Sequence, residues 1–186
     1  MVVQPIITTK FKTAGLTIEI AVDLRERNNV AILIFYLIIP IDVAKRLTID
    51  LVLEIKPHKN REHEKEAVKM ILDLVKAKEL ETRTSYITFS RNAFDELVKQ
   101  TNCPILYLNG VAPDVLKKIG GTGADYHINV FKKNPEWIKQ LHDSGLEVNI
   151  WTVSEPEEIQ WCIDHGADYI TTNNPELVQK MIKDPL

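Results

Sequence analysis

Alternation between two textures constrains this chain more than any other feature. From Asp50 onward, short β-branched and aromatic runs are separated by segments whose apolar residues recur at helical spacing. The runs are Leu51–Ile55, Tyr86–Phe89, Ile105–Leu108, Asp125–Ile128, Glu147–Trp151 and Asp168–Thr172. Between the first two lies a long amphipathic segment, with Val68, Ile71, Leu72 and Val75 on one face and Glu64, Lys65 and Lys69 elsewhere. Later helical segments are Ala93–Gln100, Pro113–Ile119, Pro135–Ser144, Pro156–His165 and Pro175–Ile182. After the first unit the strands recur about every 20 residues, the length that a strand, a loop and a crossover helix need. Such repeats predict parallel strands joined by right-handed crossovers, in an open doubly wound sheet or a closed barrel.

Local punctuation agrees. Asn134-Pro135-Glu136 and Asn174-Pro175-Glu176 place an Asn cap before Pro at a first helical position. Ser154-Glu155-Pro156-Glu157 reads as a capping box, and Gly120, Gly145 and Gly166 stand where a left-handed residue ends a helix. Gly120-Gly121-Thr122-Gly123 follows a helical segment and precedes a strand, so it is not a phosphate loop, which weighs against a nucleotide-binding doubly wound sheet.

A length of 186 residues suits one well-buried core, and a single domain over residues 1–186 is expected, regular over 51–182. Net charge of −3 with Lys and Arg spread along the chain argues against nucleic acid or an anionic membrane as partner. Cys103 and Cys162 lack metal-ligand spacing and read as small buried hydrophobes. No signal peptide is read at the N-terminus. The run Val30–Ile39 is far short of the roughly 20 residues of a membrane-spanning helix and reads as a buried strand. A soluble protein, cytoplasmic by default, is the expectation. Within the first fifty residues, Pro5–Thr9, Thr17–Val22 and Ala31–Ile39 favour strand with little helical sequence between them. Enough strands exist for eight, with irregular N-terminal units; an exposed apolar start would favour an oligomer.

In a parallel βα array, ligands meet the C-terminal ends of the strands. The polar residues there are Glu54, Lys56, Ser90, Asn109, His127, Asn129, Trp151, Thr152 and Asn173. Glu54 and Lys56 share a strand face, the acid suited to a hard cation and the amine to a phosphate oxygen. The plainer alternatives are an exposed ion pair at Glu54–Lys56, a core indole at Trp151, a structural histidine at 127 and a helix cap at Ser90.

Four segments stand in order: LVLEIKPH (Leu51–His58), YITFSRNAF (Tyr86–Phe94), VNIWTVSEPEE (Val148–Glu158) and GADYITTNNPELV (Gly166–Val178). Together they resemble the glycerophosphodiester phosphodiesterase family, and ADYHINVFKKNPEWIKQLHDSGL adds a likeness to one bacterial branch of it. The resemblance implies an α/β fold, a TIM-type (β/α)8 barrel of parallel strands, incomplete or irregular in its N-terminal units. It further implies hydrolysis of a glycerophosphodiester, a small-molecule substrate, to sn-glycerol 3-phosphate and an alcohol, with Ca2+ or Mg2+ as cofactor. By the same resemblance Glu54 matches a metal-binding carboxylate, Lys56 the phosphate-contacting lysine, and Trp151 the aromatic at the glycerol end.

The start of the chain departs from the family's HRG, ExD and HD motifs: no histidine precedes His58. If Gly15–Phe35 echoes the ExD strand, Glu19 matches its first metal carboxylate, Ala21 occupies the second position, and Asp23 lies on the same face one step further. Tyr36-Leu37 stands where HD is expected, and Thr8-Thr9-Lys10 where HRG is expected. Acid–base work then falls to a histidine such as His127 or His58. Three expectations stay open: a hydrolase, a relative that binds phosphate or a phosphodiester without turning it over, and a purely structural or interaction domain.

Overall fold

The computed structural model describes residues 7–12, 15–22, 38, 41–47, 49–58 and 60–183, with backbone alone for 7–12 and 15–22. They fall in two compact units, one built on Ile18–Ile105 and the other on Thr8–Thr17 with Leu106–Leu186. Two strands come first, β1 (Ile7–Lys12) and β2 (Gly15–Val22). The strand expected over 30–39 lies outside the described residues except for Ile38, whose backbone is helical.

In the first unit, helix α1 (residues 41–47) leads to β3 (Asp50–Ile55), which pairs in parallel with β4 (Thr84–Thr88), Glu54 opposite Ile87. The crossover is helix α2 (Arg61–Ala77), capped by Asn60, whose side chain accepts from the Glu62 and His63 amides. Its buried face is Glu64, Ala67, Val68, Ile71 and Val75, with the three-to-four spacing of an amphipathic helix. Each such aliphatic side chain stabilises by about 1.5–3 kcal/mol on burial.

Glu64 corrects the sequence reading, which set it off the apolar face. Its carboxyl accepts from the His58 amide (2.7 Å), the Ser90 hydroxyl (2.9 Å) and the Asn92 amide group (2.7 Å). A buried carboxyl is tolerated when its oxygens are satisfied in this way. Ser90 also caps helix α3 (Arg91–Gln100) as expected, accepting from the Ala93 amide at 3.2 Å.

In the second unit, β5 (Ile105–Tyr107), β6 (Gly123–His127), β7 (Glu147–Trp151) and β8 (Tyr169–Thr172) are parallel neighbours. Strand β1 joins β8 antiparallel, Thr9 opposite Thr172, and this is the irregular N-terminal element the sequence led us to expect. Residues 13–14 alone separate β1 from β2, far short of the dozen or so that a parallel crossover needs.

Helices α4 (Pro113–Lys118), α5 (Ile128–Lys133), α6 (Glu136–Asp143), α7 (Pro156–Asp164) and α8 (Pro175–Lys183) complete this unit. Helix α5 was not expected. The strand before it ends at His127, whose Nδ1 accepts the Asn129 amide at 3.1 Å, so Ile128 starts a helix instead of ending a strand. Two caps also differ. Asn134 donates to the Val130 carbonyl at 2.9 Å and closes α5 instead of capping α6. Ser154 accepts from the Asn173 amide (3.4 Å), and α7 begins at Pro156 with Glu155 in the cap position and no side-chain cap bond. Asn174 does cap α8 through the Leu177 amide, and Gly145 and Gly166 take φ of +75° and +78° after their helices.

Both cysteines are buried and free, and burial pushes the Cys162 thiol up to about 12. Among the described residues, no helix is long and apolar enough to cross a membrane.

Candidate active site

Strand β3 ends the first unit's parallel pair with the acid and the amine that the sequence put on one face. The Lys56 ammonium lies 3.2 and 3.3 Å from the two carboxylate oxygens of Glu54. Glu54 is only 6% exposed, whereas the Lys56 side chain keeps 21% of its surface in solvent. The carboxyl faces inward with Val52 and Ile87, because alternate strand residues share a face, while Leu51, Leu53 and Ile55 face the other way. The plain alternative of a fully exposed pair is therefore wrong for the acid. A buried carboxylate beside a movable ammonium can exchange that counter-charge for a metal ion, and the amine can turn to an anionic ligand.

In the second unit the strand ends carry an aromatic and polar face. His127 and Trp151 are register partners, their ring centroids 5.2 Å apart and their planes at 86°. The Trp151 Nε1–H donates to the Asp125 carbonyl at 2.8 Å. One step deeper on the same face, the Asn149 amide donates to the Asp125 carboxyl and, at 3.1 Å, to the Thr171 hydroxyl. Asp125 is 0% exposed, Asn149 1% and Thr171 4%. Tyr126, on the opposite face, stacks on Phe131 and donates to the Val111 carbonyl at 3.1 Å; burial raises its hydroxyl above the usual range.

The structure thus brings Glu54 together with Lys56, and His127 together with Trp151. Trp151 is half-buried, so it is not simply core filling. His127 serves as a helix cap, which holds its ring by Nδ1 and leaves the proton on Nε2 in the neutral form. Glu19 lies on β2, where the backbone alone is described, and Asp23 lies outside the described residues. Among the described residues, no three His, Cys, Asp or Glu side chains gather as metal ligands would.

Sequence reasoning missed Asp125, Asn149 and Thr171. Their signal was present: Asp125 stands two residues before His127, and Asn149 two before Trp151, so each shares a strand face with a candidate.

The model of the glycerophosphoryl diester phosphodiesterase family matches residues 43–177. A glycerophosphodiester phosphodiesterase from Parabacteroides distasonis is 37% identical, with a TM-score of 0.75 over 77% of this chain and 61% of that one. An Oleispira antarctica phosphodiesterase, solved with its product sn-glycerol-3-phosphate, is 17% identical, with a TM-score of 0.68 over 77% of this chain and 59% of that one. The EAL domain of FimX from Pseudomonas aeruginosa, bound to c-di-GMP, shares the fold at 10% identity, with a TM-score of 0.63 over 91% of this chain and 87% of that one. No curated protein sequence matches the chain. The chain spans about three-fifths of the length of the phosphodiesterase structures it matches. Its α/β architecture, with β3 and β4 parallel in the first unit and β5 to β8 parallel in the second, is of the TIM-barrel type that these phosphodiesterases have. A match covering Val43 to Leu177 takes in both candidate pairs, and the chain belongs to the glycerophosphoryl diester phosphodiesterase family.

Proposed function

We propose that this chain hydrolyses glycerophosphodiesters to sn-glycerol 3-phosphate and an alcohol, with the help of Ca2+ or Mg2+. The observation that carries the reading is the buried Glu54 carboxyl with the Lys56 ammonium against both its oxygens, at the end of the strand that bears the family's LEIK motif. Glu54 suits a hard cation, because it offers carboxylate oxygens and has a mobile counter-charge as neighbour. Glu19 is the further carboxylate that the family resemblance assigns to the same ion, and Asp23, one step beyond the Ala21 that occupies the second position, would stand in for the missing acid. When bound, the ion supplies charge neutralisation for the phosphoryl oxygens.

The chain's own residues do the rest. Lys56 turns its ammonium to a phosphate oxygen, where a charge-assisted hydrogen bond is stronger than a neutral one. Trp151 packs its indole on the glycerol carbons. His127 donates a hydrogen bond to the substrate from Nε2–H while its Nδ1 accepts from the Asn129 amide, and taking up a proton would require the ring to release that amide. A colorimetric assay with glycerophosphocholine and Ca2+ or Mg2+ tests the proposal. Turnover well above a Glu54→Ala control is the expected result, and turnover no higher than that control rejects it.

One observation favours a second reading, a phosphodiester-binding module without turnover. The five histidines all stand at or after His58, and His127 is already engaged as a cap. That reading expects saturable, metal-linked binding by calorimetry with no product. Loss of binding in Lys56→Ala supports it, and indifference to that change counts against it.

A further inference from the structure

Three polar side chains occupy the face of β6, β7 and β8 just beneath His127 and Trp151, in positions where aliphatic residues would pack more cheaply. Asp125 and Asn149 are direct register partners, and both are essentially solvent-free. Asn149 donates to the Asp125 carboxyl and to the Thr171 hydroxyl at 3.1 Å, and the Thr171 hydroxyl donates back to the Asn149 side-chain Oδ1 at 3.4 Å. Burying an amide and a carboxyl costs several kcal/mol unless both are satisfied, and a satisfied network fixes one geometry.

That geometry bears on a single side chain. Asp125 is bound to β7 twice, by its carboxyl to Asn149 and by its carbonyl to the Trp151 indole at 2.8 Å. Asn149 precedes Trp151 by two residues on the same strand face. A slip of β6 against β7 would break both bonds together. We infer that Asp125 and Asn149, supported by Thr171, are positioning residues that hold the Trp151 indole in one orientation for the substrate. The inference deepens the proposed function and rests on its assignment of Trp151 to the glycerol end.

The experiment reads the indole with and without turnover. Trp137→Phe and Trp161→Phe leave Trp151 as the reporter, since the chain has 3 tryptophans. In that background, a folded Asn149→Leu variant is expected to red-shift Trp151 emission and raise its acrylamide quenching about twofold, as an indole freed from its partner does. KM for glycerophosphocholine is expected to rise about tenfold with a smaller change in kcat, the mark of lost positioning. Exchanging the pair, Asp125→Asn with Asn149→Asp, is expected to restore both readouts. Thr171→Val is nearly isosteric and tests the ladder if Asn149→Leu fails to fold; it should shift the emission in the same direction by less. Wild-type emission and quenching in folded Asn149→Leu, or in Thr171→Val, overturns the inference. Fluorescence that responds while KM does not would leave the positioning intact and instead remove Trp151 from the substrate contacts.

Discussion

The imidazole of His127 stands edge-on to the indole of Trp151 at 5.2 Å, held there because its Nδ1 accepts the second amide of helix α5. One histidine therefore caps a helix and lines an aromatic pair, and a proton-transfer role would compete with the cap, because Nε2 carries the proton of the neutral ring while Nδ1 accepts the amide. His127→Asn separates these tasks, because the Asn side-chain oxygen can still cap the helix. We expect its stability to stay close to the parent, whereas His127→Ala loses about 1 kcal/mol in urea denaturation. If Nε2 handles a proton, kcat in His127→Asn falls about 10²-fold or more and one limb of the pH–rate profile disappears. An unchanged kcat in that variant assigns His127 to structure alone.

Glu54 and Lys56 compete for charge, and so their variants are expected to diverge. Glu54→Gln removes a ligand charge and should weaken Ca2+ binding at least about tenfold by calorimetry. Lys56→Met removes a cation beside the carboxylate; it should tighten Ca2+ binding while raising KM for the phosphodiester. Parallel losses of metal binding in both variants would contradict this arrangement.

Glu64 is a purely structural carboxyl. Glu64→Ala strands the buried Ser90 hydroxyl and takes a partner from the half-buried His58 amide and Asn92 amide group, the latter keeping its bond to the Arg61 carbonyl at 3.2 Å. An expected loss of about 2–4 kcal/mol follows from orphaning one buried donor and taking a partner from two half-buried ones, read as a lower urea midpoint with unchanged slope.

Close approach decides Gly123. An alanine Cβ there would stand 2.8 Å from the Glu147 carbonyl oxygen and 3.0 Å from Leu106, backbone on one side and packed core on the other. Gly123→Ala is expected to cost about 1–3 kcal/mol, visible as a Tm drop of several degrees.

Alkaline conditions should weaken the fold. Burial holds the Cys162 thiol at about 12 against an ordinary 9.0, and it raises the hydroxyls of Tyr86 and Tyr126 as well. The unfolded chain releases these protons first, so stability is complete below about pH 9 and declines as pH rises, by up to about 1.4 kcal/mol per unit for one group. Cys162→Ala should flatten part of that decline in denaturation measured at pH 9–11. At neutral pH the native Cys162 thiol should resist Ellman's reagent until denaturant is added.

Much of the fold was legible along the chain. The period of β-branched runs located β3 to β8 within two residues or so at most ends, because hydrophobic alternation is a local property that survives without tertiary contacts. The Glu54–Lys56 pair was legible for the same reason, since a two-residue offset on a strand dictates a shared face. Helix α5 was not legible, because its start depends on a histidine ring acting as a cap, a role that Ser, Thr, Asn or Asp usually fills. Nor were the caps at Asn134 and Ser154, whose polar side chains found partners in a neighbouring turn and loop instead.

The sequence by itself determined the parallel βα class, the family, and which strand ends carry an acid, an amine and an indole. Tertiary structure alone decided that Glu64 is buried and satisfied, that β1 runs antiparallel on β8, and that Asp125, Asn149 and Thr171 form one network under Trp151. The physical reason is common to all three. A polar group's burial depends on donors brought in from residues about 20–30 positions away, and a strand's direction depends on which edge it finds; neither is encoded in local spacing.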